Sequence, residues 1–305
     1  MASRLGRLVL LATERSVVRR AVTSTPPGKL LARRFVAGET LDDAIAVAAR
    51  LNDEGFTVSL DHLGEHVTDA ARAAAARDDY LACLDRIAVE DLDANISIKL
   101  TQLGLGFDDG LAAASLNDLA ARAASFGRTV TIDMEESEYT SATIELYEAA
   151  QRIHGNLGIA LQAYLMRTAD DLERLVDLGG HIRLCKGAYL EPGDVAFQGR
   201  EEVAASFDEL SRRLFAQTTT KPAIASHDDD RLAVALELAA GRDAPYEFQL
   251  LFGVRGPRQR ELVAAGHPVR VYVPYGVAWY PYLTRRLAER PANVAFFLRA
   301  ALGRS

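Results

Sequence analysis

The chain has 305 residues, 49% hydrophobic and 25% charged, the balance of a soluble globular protein able to bury a full core. Its net charge of −7 at pH 7 disfavours a nucleic-acid partner, and no apolar run approaches the ~18 residues of a membrane span. The two cysteines, Cys83 and Cys185, match neither a metal spacing nor a disulfide framework, which points to a reducing cytoplasm.

Residues 1–35 hold eight basic side chains (Arg4, Arg7, Arg15, Arg19, Arg20, Lys29, Arg33, Arg34) against one acid, Glu14. An opening so rich in Arg and poor in acids imitates a transit peptide, or can lie at an anionic membrane surface. A helix with basic flanks packed on the rest of the protein is the preferred reading. The stretch "LDDAIAVAARLNDEG" (41–55) then reads as a helix that packs onto or caps the domain after it.

From there, short β-like runs alternate with helical segments. They are "TVSLD" (57–61), "NISIKL" (95–100), "TVTIDM" (129–134), "LGIALQAY" (157–164), "HIRLCK" (181–186), "PAIAS" (222–226), "YEFQLLF" (246–252) and "VRVYV" (269–273). Strands alternating with helices imply parallel pairing through crossovers. Eight such units spell an α/β protein of the (βα)8 barrel type. The segments between, such as "TDAARAAAARDDYLACLDRIAVEDLD", "SLNDLAARAASFG" and "RQRELVAAG", combine helix formers, N-cap residues and terminal glycines. The division expected is a helical extension over 1–55 and a barrel domain over 56–305.

Active sites of such barrels are built at the C-terminal ends of the strands. Those ends carry Asp61 and His62, Lys99, Asp133, Gln162, Arg183 and Lys186, Ser226 and His227, Gln249 and Tyr272. Each alone reads equally well as an inert barrel polar group. Lysine, however, is confined to Lys29, Lys99, Lys186 and Lys221, and both Lys99 and Lys186 end apolar runs. With Arg285 and Arg286 shortly after the eighth run, these side chains describe a cationic pocket suited to a carboxylate or phosphate. Glu289 lies at helix-surface spacing from both arginines. The stretch "GLGFDDG" misses the dinucleotide fingerprint by one place and reads as a loop. No histidine spacing for a metal and no G-x-S-x-G elbow is present, so a metal site and a serine hydrolase are disfavoured.

The blocks "SIKLTQLGL", "TIDMEES", "LQAYLMRT", "RLCKGAYLEP", "ASHD", "YEFQLLFGV" and "VYVPYG" followed by "WYPYLTRRLAER" stand in order, each at a strand end. With them the chain resembles the monofunctional bacterial proline dehydrogenases. The resemblance implies a distorted (βα)8 barrel of the TIM type with an N-terminal helical extension, its last helix over the strand ends, and FAD held non-covalently. It also implies oxidation of L-proline to Δ1-pyrroline-5-carboxylate by hydride transfer from C5 to flavin N5, the first step of proline catabolism. Electrons would pass to a quinone. The implied setting is a cytoplasmic enzyme, peripheral to the inner membrane, with a pyrroline-5-carboxylate dehydrogenase as partner.

Carried over position by position, Lys99, Arg285 and Arg286 look like the clamp on the substrate carboxylate, with Glu289 holding Arg286. Asp133, Tyr272 and Tyr282 look like pocket residues around the proline ring, and Leu251 like its apolar wall. Met134, Gln162, Arg183, Lys186, Gly187, Ala188, Tyr189, Ser226 and His227 match flavin-contacting positions, Asp133 and Arg183 standing nearest the chemistry. Ser226 replaces a Thr common in the family, and "VAFQGREEVAAS" (195–206) departs from the family pattern, which leaves the adenine end unassigned. Three alternatives stay open: a Schiff-base lyase using Lys99 or Lys186, a folate-linked flavin reductase, and a proline-sensing protein without turnover.

Overall fold

A computed structural model describes residues 32–289, apart from the side chains of residues 285–289. The basic segment 1–31 and the side chains of Arg285, Arg286 and Glu289 therefore lie outside the described part. Eight strands form: β1 (Thr57–His62), β2 (Ala94–Ile98), β3 (Val130–Ile132), β4 (Leu157–Gln162), β5 (His181–Cys185), β6 (Lys221–Ala225), β7 (Glu247–Leu251) and β8 (Val269–Tyr275). They pair in chain order, all parallel, and β8 closes on β1. All eight runs expected from the sequence become strands of this barrel.

The helices follow from local capping chemistry. Thr40 and Asp43 form a reciprocal capping box at the start of α1 (Leu41–Asp53). Asp69 caps α2 (Ala70–Val89), and Asp108 caps α3 (Asp109–Ser125), so "GLGFDDG" is the loop that ends in that cap. The others are α4 (Thr140–His154), α5 (Thr168–Leu175), α6 (Arg200–Ala216), α7 (Asp229–Ala240), α8 (Gly256–Ala264) and α9 (Trp279–Glu289). No helix among the described residues is long and apolar enough to cross a membrane.

The first and last of these helices depart from a regular barrel. On α1, Ala44, Ile45, Ala48 and Leu51 form one buried face, which packs against β1, β8 and α2. It covers the wall beside β8 that the last helix would cover in a regular barrel. The buried side chains of α9 (Trp279, Tyr280, Tyr282 and Leu283) cluster instead with Ala32, Phe35, Val36 and Leu63, and Tyr282 reaches the cavity at the strand ends. This is the displaced last helix that the family resemblance implies.

Alternation along each strand divides the core in two. Val58, Leu60, Ile96, Ile98, Ile132, Ile159, Ile182, Leu184, Phe248 and Val271 point outward and are buried under the helices. Most inward positions are polar, and many of these bond across the barrel. At its floor, Asn95 Nδ2 donates to Thr131 Oγ1 (3.1 Å), and that hydroxyl is hydrogen-bonded to His181 Nε2 (2.8 Å). Arg270 Nε and Lys221 Nζ donate to the two oxygens of Glu247 (3.0 and 2.5 Å). Burial pushes His181 down to about 3, so its imidazole is neutral at physiological pH.

Room for that ring comes from Gly158 on β4, where a Cβ would lie 2.2 Å from His181. Gly158→Ala is therefore expected to destabilise the barrel by about 1–3 kcal/mol, the cost typical of overpacking. Urea unfolding checks this, and an unchanged midpoint would show that the ring can yield.

Candidate active site

A cavity of about 530 Å³ opens at the C-terminal ends of the strands, the scale of a small-molecule or cofactor pocket. Met134, Gln162, Arg183, Lys186, Gly187, Ala188, Tyr189, Ser226 and His227 reach it from the ends of β3 to β6. Lys99, Asp133, Gln249, Leu251, Tyr272 and Tyr282 also line it. Every residue carried over from the family motifs whose side chain is described thus meets in one place, while Asp61 and His62 of the strand ends do not line the cavity.

Lys99 is the most constrained of them. Its ammonium donates to Asp61 Oδ1 (2.9 Å), Asp133 Oδ2 (3.1 Å) and Tyr272 Oη (3.4 Å), which engages all three of its N–H bonds. Burial alone would drive it toward the neutral amine; Asp61 and Asp133 more than offset this and hold its pKa well above the ordinary value. An amine kept protonated in this way is no nucleophile, so the Schiff-base reading loses Lys99. Lys186 is salt-bridged to Asp228 at 2.5 Å.

Asp133 lies at the centre. Its Oδ1 accepts from Ser97 Oγ (2.7 Å) and from Arg183 Nη1, and its Oδ2 from Tyr272 Oη (2.7 Å) and Lys99. Burial favours the neutral acid, yet the Lys99 and Arg183 charges prevail and bring its pKa to about 2. The Arg183 guanidinium also lies 5.2 Å from the Tyr272 ring centroid. The sequence alone suggests a surplus of cations. Among the described residues, Lys99, Arg183 and Lys186 each face a carboxylate instead, because a buried cation without a partner is costly.

The loops around the mouth are pinned by acids whose importance the sequence did not reveal. Glu135, 1% exposed, accepts from the Thr101 backbone N–H (3.0 Å) and hydroxyl (2.5 Å), tying the loop after β3 to the segment that carries Lys99. Its carbonyl accepts from Gln162 Nε2 (2.9 Å). Glu191 grips Ser137 in the same two-pronged manner. Gly187, at φ 114°, lets the backbone cross the Tyr164 ring where a Cβ would come within 2.1 Å. Asp61 and Gln249 stood among the strand-end polar residues without an assigned role. Ser97 and Lys99, two apart in "NISIK", offered a period-two signal that places both on one face.

The model of the family described as proline dehydrogenase matches residues 44–299. The chain belongs to this family. It is accordingly an oxidoreductase. It is 38% identical over 278 residues to Proline dehydrogenase 1 of Bacillus subtilis (strain 168), covering 90% of this chain and 91% of that protein. It is 36% identical over 282 residues to the proline dehydrogenase of Deinococcus radiodurans, covering 89% and 90%. A crystal structure of proline utilization A from Bdellovibrio bacteriovorus, inactivated by N-propargylglycine, matches with a TM-score of 0.80 at 23% identity. That match covers 85% of this chain and 32% of the longer one, so this chain spans about a third of that protein, and the likeness is one of fold.

Glu135 makes this family member's stability depend on pH. Burial raises its pKa from 4.5 to about 7, so the folded state binds more protons than the unfolded chain between those values. Stability from this group falls as pH rises through that window, by up to about 3 kcal/mol. Asp133, lowered from 3.8 to about 2, acts in the opposite sense and only in that more acidic range. Unfolding free energies from pH ~4.5 to ~7.5 should show the wild type losing stability relative to Glu135→Gln as pH rises. Parallel profiles would refute the assignment.

Proposed function

We propose that the chain oxidises L-proline to Δ1-pyrroline-5-carboxylate with a non-covalently bound FAD and passes the electrons to a quinone. The observation that carries this reading is the convergence on one cavity of a cofactor-type wall and the groups that handle an amino-acid carboxylate. Arg183 Nη2 is buried without a hydrogen-bond partner among the described residues, a donor that the electron-rich edge of a flavin would satisfy. Met134, Gln162, Lys186, Gly187, Ala188, Tyr189, Ser226 and His227 would hold the rest of the ring system.

Bound FAD would supply the two-electron acceptor for hydride leaving proline C5. The protein's task is then positioning, which can contribute ~7–11 kcal/mol in favourable cases. Tyr272, Tyr282 and Leu251 enclose the ring. Lys99 already spends two donors on Asp61 and Asp133, so the substrate carboxylate takes the place of its longest contact, to Tyr272. The bidentate hold falls to Arg285 and Arg286 on α9, with Glu289 steadying Arg286. The proline nitrogen must be neutral to release hydride, and clamp cations lower its pKa by like-charge repulsion, the proton leaving to solvent.

Anaerobic L-proline should bleach the flavin spectrum of the purified protein, and a protein unable to bind FAD would end this reading. Arg286→Ala should raise KM about 10- to 100-fold with flavin content unchanged, the loss of a charge-assisted hydrogen bond. Lys99→Ala should also lower the unfolding free energy by ~3–5 kcal/mol, because Asp61 is left buried without its cation and Asp133 keeps only Arg183. Unchanged constants in either variant would remove that residue from the clamp.

A quinone acceptor fits a chain without a nicotinamide fingerprint, and a pyrroline-5-carboxylate dehydrogenase is the partner suited to consume the product. The basic residues of the first 35 positions supply a weak attraction to an anionic bilayer, up to ~1 kcal/mol for each cation near the surface. Co-sedimentation with anionic vesicles should fall when Arg4, Arg7, Arg15 and Arg19 are neutralised. Equal sedimentation would remove the membrane contact and leave the chemistry untouched.

A further inference from the structure

Arg183 is fixed by residues on two other strands and just after a third. Nε donates to Gln249 Oε1 on β7, and Nη1 donates to Ser97 Oγ on β2 (3.0 Å) and to Asp133 after β3. These bonds set the plane of the guanidinium and leave Nη2 as its one end without a partner among the described residues. Two of the three partners, Ser97 and Asp133, accept whichever way they rotate, whereas Gln249 does not. An amide turned by 180° would present its NH2 to Arg183 Nε, donor against donor.

What prevents that turn lies one layer deeper. Gln249 Nε2 donates to Glu247 Oε1 at 2.5 Å. Glu247 is buried, and Arg270 and Lys221 bonded to its oxygens hold it ionised. An ionised carboxylate only accepts. The NH2 of Gln249 must therefore face Glu247, and its oxygen must face Arg183. The direction of the whole chain, from the barrel floor to the cavity, follows from one charge.

We propose that Gln249 is a positioning residue for Arg183, kept in its working orientation by Glu247, so that Nη2 is presented to the cofactor edge in the cavity. The inference rests on the flavin reading above and deepens it. Gln249 acts through Arg183, and Glu247 acts through Gln249. A purely structural role for both residues would affect stability alone.

Three forms of the holoenzyme separate these roles: wild type, Gln249→Leu, and the exchange Gln249→Glu with Glu247→Gln. In the exchanged pair a carboxylate at 249 accepts from Arg183 and from the new amide at 247, whose oxygen accepts from Lys221. The net charge and the acceptor that faces Arg183 are kept, while Arg270 loses its bond to residue 247. Gln249→Leu should lower kcat between about tenfold and a hundredfold, the scale of a misplaced catalytic group, with KM changed by less than about twofold. The reduction potential of the bound flavin should become more negative, and the exchange should restore most of kcat.

A second measurement needs no flavin. In the cofactor-free protein, the Arg183 Nε–H should give a slowly exchanging NMR resonance in the wild type and the exchanged pair, and lose it in Gln249→Leu. A Gln249→Leu enzyme that melts earlier but keeps wild-type kcat and potential would overturn the proposal, as would an unaltered Arg183 resonance. A wild-type protein that binds no FAD would instead refute the flavin reading, and the resonance would still judge the role of Gln249.

Discussion

Four donors meet on the Asp133 carboxylate: the Ser97 hydroxyl, the Arg183 guanidinium, the Tyr272 phenol and the Lys99 ammonium. They come from β2, β5, β8 and the residue after β2, so one side chain ties the ends of strands on opposite sides of the barrel. A carboxylate offers about four lone-pair directions, and here each has a donor. Ionisation of Asp133 is therefore a consequence of the barrel's closure and also a condition of the site. If the charge were lost, Lys99 and Arg183 would each lose a counter-ion.

This arrangement reverses the usual division of a barrel of this type, whose interior is filled mainly by branched aliphatic side chains. Here the aliphatic residues lie under the helices, and the interior carries Asn95, Thr131, His181, Glu247 and Arg270 at the floor, with Ser97, Asp133, Arg183, Gln249 and Tyr272 above. A polar interior costs stability unless its groups are paired. The benefit is rotational definition: a guanidinium bonded on three sides has one orientation, where an aliphatic neighbourhood would leave it several. The outer ring of helices supplies hydrophobic stability, and the inner face is left to chemistry.

The mouth obeys the same logic. Glu135 on Thr101 and Glu191 on Ser137 are carboxylates that each grip a backbone N–H and a hydroxyl of one residue. Lys186 and Asp228 join the segments after β5 and β6. Loops pinned in this manner behave as extensions of the strands. The exception is the side of β8, where α9 crosses the opening on an aromatic cluster with Phe35, Val36 and Leu63. Because α1 covers the outer wall beside β8, α9 is free to bring Tyr282 toward the cavity.

The amino-acid sequence by itself determined the number and order of the strands and the starts of the helices, since these depend on neighbours: β-like runs of five to eight residues, and Thr40, Asp69 and Asp108 at the caps. It also marked most of the site, because strand-end positions share a face in a parallel barrel and the family motifs sit there. The alternation in "NISIK" and "HIRLC" is equally local, but read alone it describes a sheet with one face toward water. Only closure turned that face inward and gave each polar group its partner. Tyr272 and Asp133 are 139 residues apart, and Arg183 and Ser97 are 86 apart. No local pattern encodes such pairs, so the protonation of Lys99, the orientation of Gln249 and the place of α1 in the wall were decided by tertiary structure alone.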